Sequence, residues 1–236
     1  MANLVVRKCD GSCDVLKDCE QKMAVFCAMD PSYIEYDVKG RPSERDTIRE
    51  KQVSAMNRSM QTRSPLGAWQ NLLDKPDKPL NELESITTDL DLIAVSDDQW
   101  DGEVRGKLAS LYKRVLGAKG IGAASGTKVL HLMRPRLVAI ADSVVVDYLG
   151  TARGGTVDTA LATADAVRGI GRTEGNGETL SRIQDYLRTA GVIECDVIPS
   201  ACRIIDALLW MHANGLKRPE KAGYHRLWRQ MGLTSP

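Results

Sequence analysis

The chain has 236 residues, of which 43% are hydrophobic and 27% charged, a composition typical of a globular protein with one large or two small cores. With 32 basic and 31 acidic residues the net charge is +1, so total charge gives no indication of a nucleic-acid partner. The sequence contains no run of 18 apolar residues and no signal-peptide core. We therefore expect a cytoplasmic protein with no membrane partner.

The cysteines and histidines argue against a metal site. The first four cysteines are separated by three, five and seven residues, which matches neither zinc pairs nor a four-cysteine cluster loop. With three histidines in the chain, a histidine-rich site is also unexpected. We expect no metal and no cofactor, and reduced thiols that mostly pack in the interior: Cys9, Cys13, Cys19, Cys27, Cys195 and Cys202.

Residues 1 to 45 are expected to form an N-terminal extension. Residues 4 to 6 fit either a strand or the start of a helix, and residues 15 to 28 have a helical pattern. From Asp46 an N-cap, acid in the first turn and apolar residues at helical spacing predict the next helix.

The later elements are predicted from the same signals. Residues 74 to 98 are acidic, so they would face away from DNA, and Ser96 resembles a helix cap before an amphipathic helix at 104 to 116. Helices are predicted at 157 to 170, 180 to 190 and 200 to 214. The glycine-rich residues 169 to 177 are expected to form a mobile linker.

A short glycine turn, Gly120-Ile121-Gly122, joins two segments with helical periodicity. Glycine at both turn positions permits positive φ and close backbone approach, and the first amides of the second helix would face an anion. Such a helix-hairpin-helix suits DNA phosphates, although GxG is also common as an ordinary turn. Between residues 105 and 141 there are eight basic residues and no acidic one, which fits either a phosphate backbone or a solvated face.

An apolar run at 137 to 141 leads to Asp142, which begins the segment Asp-Ser-Val-Val that ends at Leu149-Gly150. With the hairpin, this segment resembles the helix-hairpin-helix (HhH-GPD) superfamily of DNA glycosylases, whose pattern is G-[IV]-G followed by [VI]-D-[TS]-x-[VI] and L-G. In the endonuclease III-like branch, a Schiff-base lysine lies two residues past the second hairpin glycine and the aspartate 18 residues further. Here that position is Ala124, so the spacing to Asp142 is kept and the lysine is absent.

The resemblance implies a monofunctional glycosylase, a hydrolase of N-glycosidic bonds that uses water, with Asp142 as the catalytic carboxylate. The alternative for Asp142 is a helix N-cap, and Lys128, one turn beyond Ala124, is a possible displaced amine. The stretch 59 to 64 resembles the S-x-Q-[AT]-x-[DS] segment whose glutamine faces DNA. The DNA-binding residues implied are Lys119, Gly120, Gly122, Ala124, Ser125, Lys128 and Gln61, and the base-pocket candidates for base flipping are Asn57, Met60 and Trp69.

We expect an all-α, two-lobed fold with the active-site cleft between the lobes. Residues 46 to 100 and 171 to 236 would share lobe one, and residues 101 to 170 would form the central lobe. A monomer would bind double-stranded DNA and excise a damaged or modified base. Because the recognition stretches resemble no known substrate class, a glucosylated hydroxymethyl-cytosine of phage DNA, removed as antiviral defence, is one hypothesis. The alternatives are a non-catalytic DNA-binding module and a helical protein–protein scaffold.

Overall fold

The computed structural model describes residues 2–30, 33–42, 47–60, 62, 64–73, 81–193, 197–217 and 230–233. In these ranges the protein is predominantly helical, as the sequence predicts, with one small two-stranded sheet. The predictions at Asp46, Gln61 and Cys195 lie outside the described residues.

The sheet is an antiparallel hairpin of β1 (Leu4–Arg7) and β2 (Cys13–Leu16), in which Leu4 is paired with Leu16. The predicted helix at 15 to 28 is therefore wrong at its start, and α1 covers Cys19–Met29. In β1, buried residues alternate with more exposed ones, a period of two that a strand satisfies and a helix does not.

Helices make up most of the remaining chain. Two segments, Tyr33–Val38 and Trp100–Val104, are π-helical. Ser96 caps the short helix that begins at Asp97, as predicted, by accepting a hydrogen bond from the Gln99 amide. The helices are α2 (Glu50–Ser59), α3 (Leu66–Leu73), α4 (Asn81–Glu84), α5 (Asp97–Gln99), α6 (Arg105–Leu116), α7 (Ala123–Met133), α8 (Ser143–Leu149), α9 (Thr156–Arg172), α10 (Asn176–Thr189) and α11 (Ala201–Lys217).

The buried apolar side chains form one contiguous core that runs from Ala2 to Met211. Helix α11 packs on α1, α8 and α9, and α6 packs on α7 and α9. The N-terminal residues belong to this core, because α1 packs on α10 and α11. The side chain of Asn176 also bonds both backbone groups of Val5, at 2.9 and 2.7 Å.

The expected linker at 169 to 177 is wrong. Gly169 and Gly171 lie inside α9, and α10 begins at Asn176. A Cβ on Gly171 would lie 2.6 Å from the side chain of Ile93, so this glycine permits close packing. The expected domain boundary at residue 170 falls within a continuous helix.

A membrane-spanning helix would need a long apolar stretch, and none of the helices in the described ranges has one.

Candidate functional site

The turn between α6 and α7 contains the two glycines of the hairpin, and they have different conformations. Gly120 has φ of 89°, in the left-handed region that favours glycine, and a Cβ there would lie 3.0 Å from that of Ala68 in α3. Gly122 is extended, with φ of −83°, and a Cβ on it would meet no atom. Of the two turn glycines, only Gly120 uses the positive φ that glycine permits.

The close approach of the two hairpin helices occurs one turn later, at Gly126. A Cβ on this residue would lie 1.9 Å from Cδ2 of Leu116 at the end of α6. Glycine is therefore needed here for helix packing rather than for backbone conformation.

The N-terminus of α7 has backbone amides for which no acceptor is found among the described residues. Gly122 is the N-cap and supplies no side-chain cap, and the amide of Gly126 makes the first helical hydrogen bond, 2.9 Å, to the Gly122 carbonyl. The amides of Ala123, Ala124 and Ser125 therefore have no intrahelical acceptor. Ala124 is half-buried, and Ser125 is buried with its hydroxyl donating to the Gly122 carbonyl at 3.1 Å.

The basic residues near the hairpin fall into two groups. Lys113, Arg114 and Lys119 are exposed and form no ion pair with any residue the structure describes. The others are engaged elsewhere in the fold, so the basic surface is smaller than the sequence suggests. Arg105 pairs with Asp165, Lys107 with Glu103 and Arg136 with Asp91, while buried Arg134 donates to the carbonyls of Leu83 and Ile86.

Lys128 and Asp142 form an ion pair beside this turn, with Nζ 2.8 Å from Oδ2. The lysine side chain is 5% exposed and the aspartate side chain 15% exposed. The other carboxylate oxygen of Asp142 accepts a hydrogen bond of 3.1 Å from the amide of Val144 and caps α8. One carboxylate thus acts both as a helix cap and as the partner of a buried ammonium, with part of its surface open to solvent.

Helix α7 places the hairpin and Asp142 in the same region of the molecule. The Thr127 hydroxyl donates to the carbonyl of Ala123 at 2.7 Å and accepts from the amide of Ala141 at 3.0 Å. Since Ala141 directly precedes Asp142, the first turn of α7 and the carboxylate are neighbours.

The segment after α2 also reaches the Lys128–Asp142 pair. The Lys128 amine donates to the hydroxyl of Thr62 at 3.3 Å, and the Tyr36 hydroxyl donates to the Lys128 carbonyl at 2.5 Å. Thr62 follows Gln61, the residue assigned to the DNA-facing stretch, which lies outside the described residues.

The three base-pocket candidates have different environments. Asn57 is half-buried, and its amide group bonds the Ser64 carbonyl at 2.8 Å and the Ser64 amide at 3.1 Å. Trp69 has no exposed surface, and its indole donates to the Ser64 hydroxyl at 2.9 Å. Both side chains therefore fix the segment between α2 and α3, while Met60, half-buried, retains open apolar surface.

Sequence reasoning missed a buried group of charges centred on Arg203 in α11. Its guanidinium donates to Asp37 at 2.9 and 3.0 Å and to Asp206, and all three residues are buried. Burial raises the pKa of both Asp37 and Asp206, the latter to about 6. The available signal was an arginine and an aspartate three residues apart inside an otherwise apolar helical stripe.

The cysteines in the described ranges, which leave out Cys195, are free thiols. Cys19, Cys27 and Cys202 are buried, as expected, whereas Cys9 and Cys13 are exposed. Burial raises the pKa of both Cys19 and Cys27 to about 12, which keeps them protonated. Across the described residues, no group of three or more metal-ligating side chains is present.

A family of unknown function (DUF6308) matches residues 29–213, a range that includes the hairpin, the Lys128–Asp142 pair and Arg203. No curated protein and no solved structure matches the chain.

Proposed function

The chain belongs to the family of unknown function DUF6308, and on the geometry of its site we propose that it is a monofunctional DNA glycosylase. It would flip a base out of double-stranded DNA and excise it, leaving an abasic site. The observation that carries the proposal is a partly exposed carboxylate, Asp142, fixed by a buried ammonium next to an uncapped helix N-terminus.

The DNA backbone would be held at the hairpin. The free amides at the start of α7 suit a phosphate oxygen, because they point out of the helix at its positive end. Gly122, the N-cap, is exposed and has open space where a Cβ would lie, and Lys119 adds a positive charge in the turn. Lys113 and Arg114, at the end of α6, would contact neighbouring phosphates.

Asp142 would act on the sugar of the flipped nucleotide. As the N-glycosidic bond breaks, its electron pair leaves with the base and positive charge develops on the deoxyribose, which a nearby carboxylate stabilises. The same group orients the water whose oxygen forms the new bond to the sugar carbon. One proton of that water passes to the carboxylate or to solvent, and the departing base takes up one proton from solvent.

Lys128 would hold the Asp142 carboxylate in place. An amine that already donates to Asp142 and to Thr62, in a side chain 5% exposed, is poorly placed to attack the sugar. Water is therefore the proposed nucleophile, and no strand nick by β-elimination is expected. A protein–DNA adduct trapped by borohydride would instead identify Lys128 as a displaced Schiff-base amine.

The base would enter next to Thr62, where Gln61 would fill the gap in the DNA stack and Met60 and Asn57 would border the pocket. Trp69 supports this segment from the core.

The two-lobed arrangement with a cleft, the monomeric state and the cytoplasmic location belong to the same proposal. Because the recognition stretch resembles no known substrate class, a bulky modified base is proposed, with glucosylated hydroxymethyl-cytosine of phage DNA as the specific candidate.

Abasic-site formation on a panel of DNAs tests the proposal. The panel contains uracil, oxidised purine, alkylated base and glucosylated hydroxymethyl-cytosine substrates. Wild type should produce abasic sites on at least one DNA, and Asp142→Asn should reduce the rate by about 100-fold or more. Asp147→Asn is the matched control, because this exposed carboxylate lies on α8 and pairs with Lys217 on the surface.

A non-catalytic DNA-binding module is the alternative, and one observation favours it: Asp142 already has a structural role as the cap of α8. In that case wild type and Asp142→Asn would bind DNA equally and neither would release a base. Absent or salt-insensitive DNA binding would contradict both functions and leave a helical scaffold.

A further inference from the structure

Asp206 lies in α11 and is 3% exposed. One of its carboxylate oxygens accepts a hydrogen bond from Arg203, and the other, Oδ1, is buried with no hydrogen-bond partner in the described part of the chain. A buried carboxylate oxygen without a donor is unfavourable when the group is ionised. The protein therefore keeps at this position a charge that its own hydrogen bonds do not fully compensate.

Charged groups from three other elements face Asp206. Lys128 from α7 attracts it and Asp142 at the start of α8 repels it, while the π-helical segment contributes Asp37, bonded to Arg203, and the neutral phenol of Tyr36. Burial is the largest influence and raises the pKa of Asp206 to about 6, with Asp142 acting in the same direction. Asp206 therefore interacts electrostatically with both members of the Lys128–Asp142 pair.

The charges of this group do not balance when every member is ionised. Arg203 and Lys128 are positive, and Asp37, Asp142 and Asp206 are negative, which leaves one excess negative charge among the described residues of the group. Arg41 and Asp30, which also act on Asp37 from its edge, have opposite charges that cancel. His131 on α7 adds nothing, because burial lowers its pKa to about 3 and keeps the ring neutral. Protonation of Asp206 would make the group neutral.

We propose that Asp206 is a positioning residue whose ionised carboxylate gives the site its excess negative charge, which the developing sugar cation neutralises in the transition state. This inference rests on the proposed glycosylase function. A site with one uncompensated negative charge is matched to a transition state that carries a positive charge, and less well matched to the neutral nucleotide. Asp206 would contribute through its charge alone, because a side chain that is 3% exposed leaves no surface for substrate.

The proposal predicts a specific pH profile. Single-turnover excision by wild type should increase as pH rises through about 6, where Asp206 ionises. Asp206→Asn is uncharged at every pH but keeps an oxygen that can accept from Arg203. The excision rate of this variant should not increase as pH rises through about 6, and at pH 8 it should be about tenfold lower than that of wild type. Its affinity for DNA should be unchanged.

A control substitution and an NMR measurement distinguish failure of this inference from failure of the proposed function. Asp147→Asn, on α8 but exposed, should retain the wild-type profile. Carboxyl carbon NMR of wild type should show the Asp142 resonance shifting over the pH range in which Asp206 titrates, and this shift should disappear in Asp206→Asn. This inference alone would be overturned if Asp206→Asn excised the base at the wild-type rate and with the wild-type pH dependence. It would also be overturned if the Asp142 resonance did not respond to the titration of Asp206. Failure of wild type to excise any base at any pH would overturn the proposed function and, with it, the catalytic role of Asp206.

Discussion

The amine of Lys128 lies 2.8 Å from the carboxylate of Asp142, although the two residues belong to different helical segments separated by a turn and an apolar run. Under the proposed glycosylase relationship, the Schiff-base lysine of the endonuclease III-like pattern would lie one helical turn earlier, where this chain has Ala124. A residue four positions later lies on the same helix face, so an amine still reaches the aspartate. With Lys128 turned toward Asp142, the N-cap and first residues of α7 are the small Gly122, Ala123 and Ala124.

Removing the Lys128 charge should destabilise the fold. Lys128→Met would leave the Asp142 carboxylate without its cation, and breaking such a buried pair costs about 3 kcal/mol. Urea unfolding measures this change. Combining Lys128→Met with Asp142→Asn should cost less than the two single changes together, because each alone leaves one member of the pair uncompensated.

Lys107→Met is the matched control for this cycle. Its partner Glu103 is exposed, so the change should alter the free energy of unfolding by about 0.5 kcal/mol or less. Equal effects of the two lysine substitutions would contradict the buried ion pair.

Alanine substitution should separate the two roles of glycine in the hairpin. Gly126→Ala places a methyl group against Leu116 and should lower stability by about 1 to 3 kcal/mol, measured by thermal or urea unfolding. Gly122→Ala meets open space and should leave stability nearly unchanged, but it should weaken DNA binding, because a phosphate bound at this N-cap under the proposed function would be crowded by the added methyl group. Similar reductions of stability in both variants would argue against this assignment.

The exposed basic residues of the hairpin should determine how DNA affinity depends on salt. The substitutions Lys113→Ala, Arg114→Ala and Lys119→Ala should each weaken binding, and each should do so to the same extent for all DNA sequences. Each substitution that removes a bound phosphate should reduce the slope of log affinity against log salt by about 0.9. Fluorescence anisotropy at several salt concentrations measures both quantities, with Arg136→Ala as the control because Arg136 pairs with Asp91. An unchanged slope would place the DNA elsewhere.

Stability should depend on pH through Asp206. Because burial raises its pKa from 3.8 in the unfolded chain to about 6, the folded state binds the proton more tightly. The contribution of Asp206 to the free energy of unfolding is therefore complete below about pH 4 and is lost as pH rises through about 6. The free energy of unfolding should fall by about 3 kcal/mol over this range. Asp206→Asn has no proton to release, so its free energy of unfolding should lack this decline. Urea unfolding between pH 3.5 and pH 7.5 measures the difference, and parallel curves for the two proteins would show that Asp206 does not titrate in this range.

Local sequence was sufficient for several parts of the site. Helical periodicity marked α6 and α7, the Gly120-Ile121-Gly122 signal marked the turn between them, and Ser96 was recognisable as a cap. Such features are legible because each depends on residues within one or two turns of the chain. Periodicity could not separate β2 from the helix after it, and it could not show that Gly171 packs against Ile93 inside α9. A glycine that permits close helix packing and one that permits a loop have the same sequence signal.

The charge arrangement of the site depends on contacts between distant segments. Whether Lys128 faces DNA or Asp142, and whether Arg203 meets solvent or Asp37, is decided by how α7, α8 and α11 pack together. Charged residues in a sequence look alike whether they end in water or in the interior, because burial is a property of the assembled core. The sequence therefore located the hairpin and the carboxylate, and the packing of the helices supplied the partners that determine the charge of that carboxylate's surroundings.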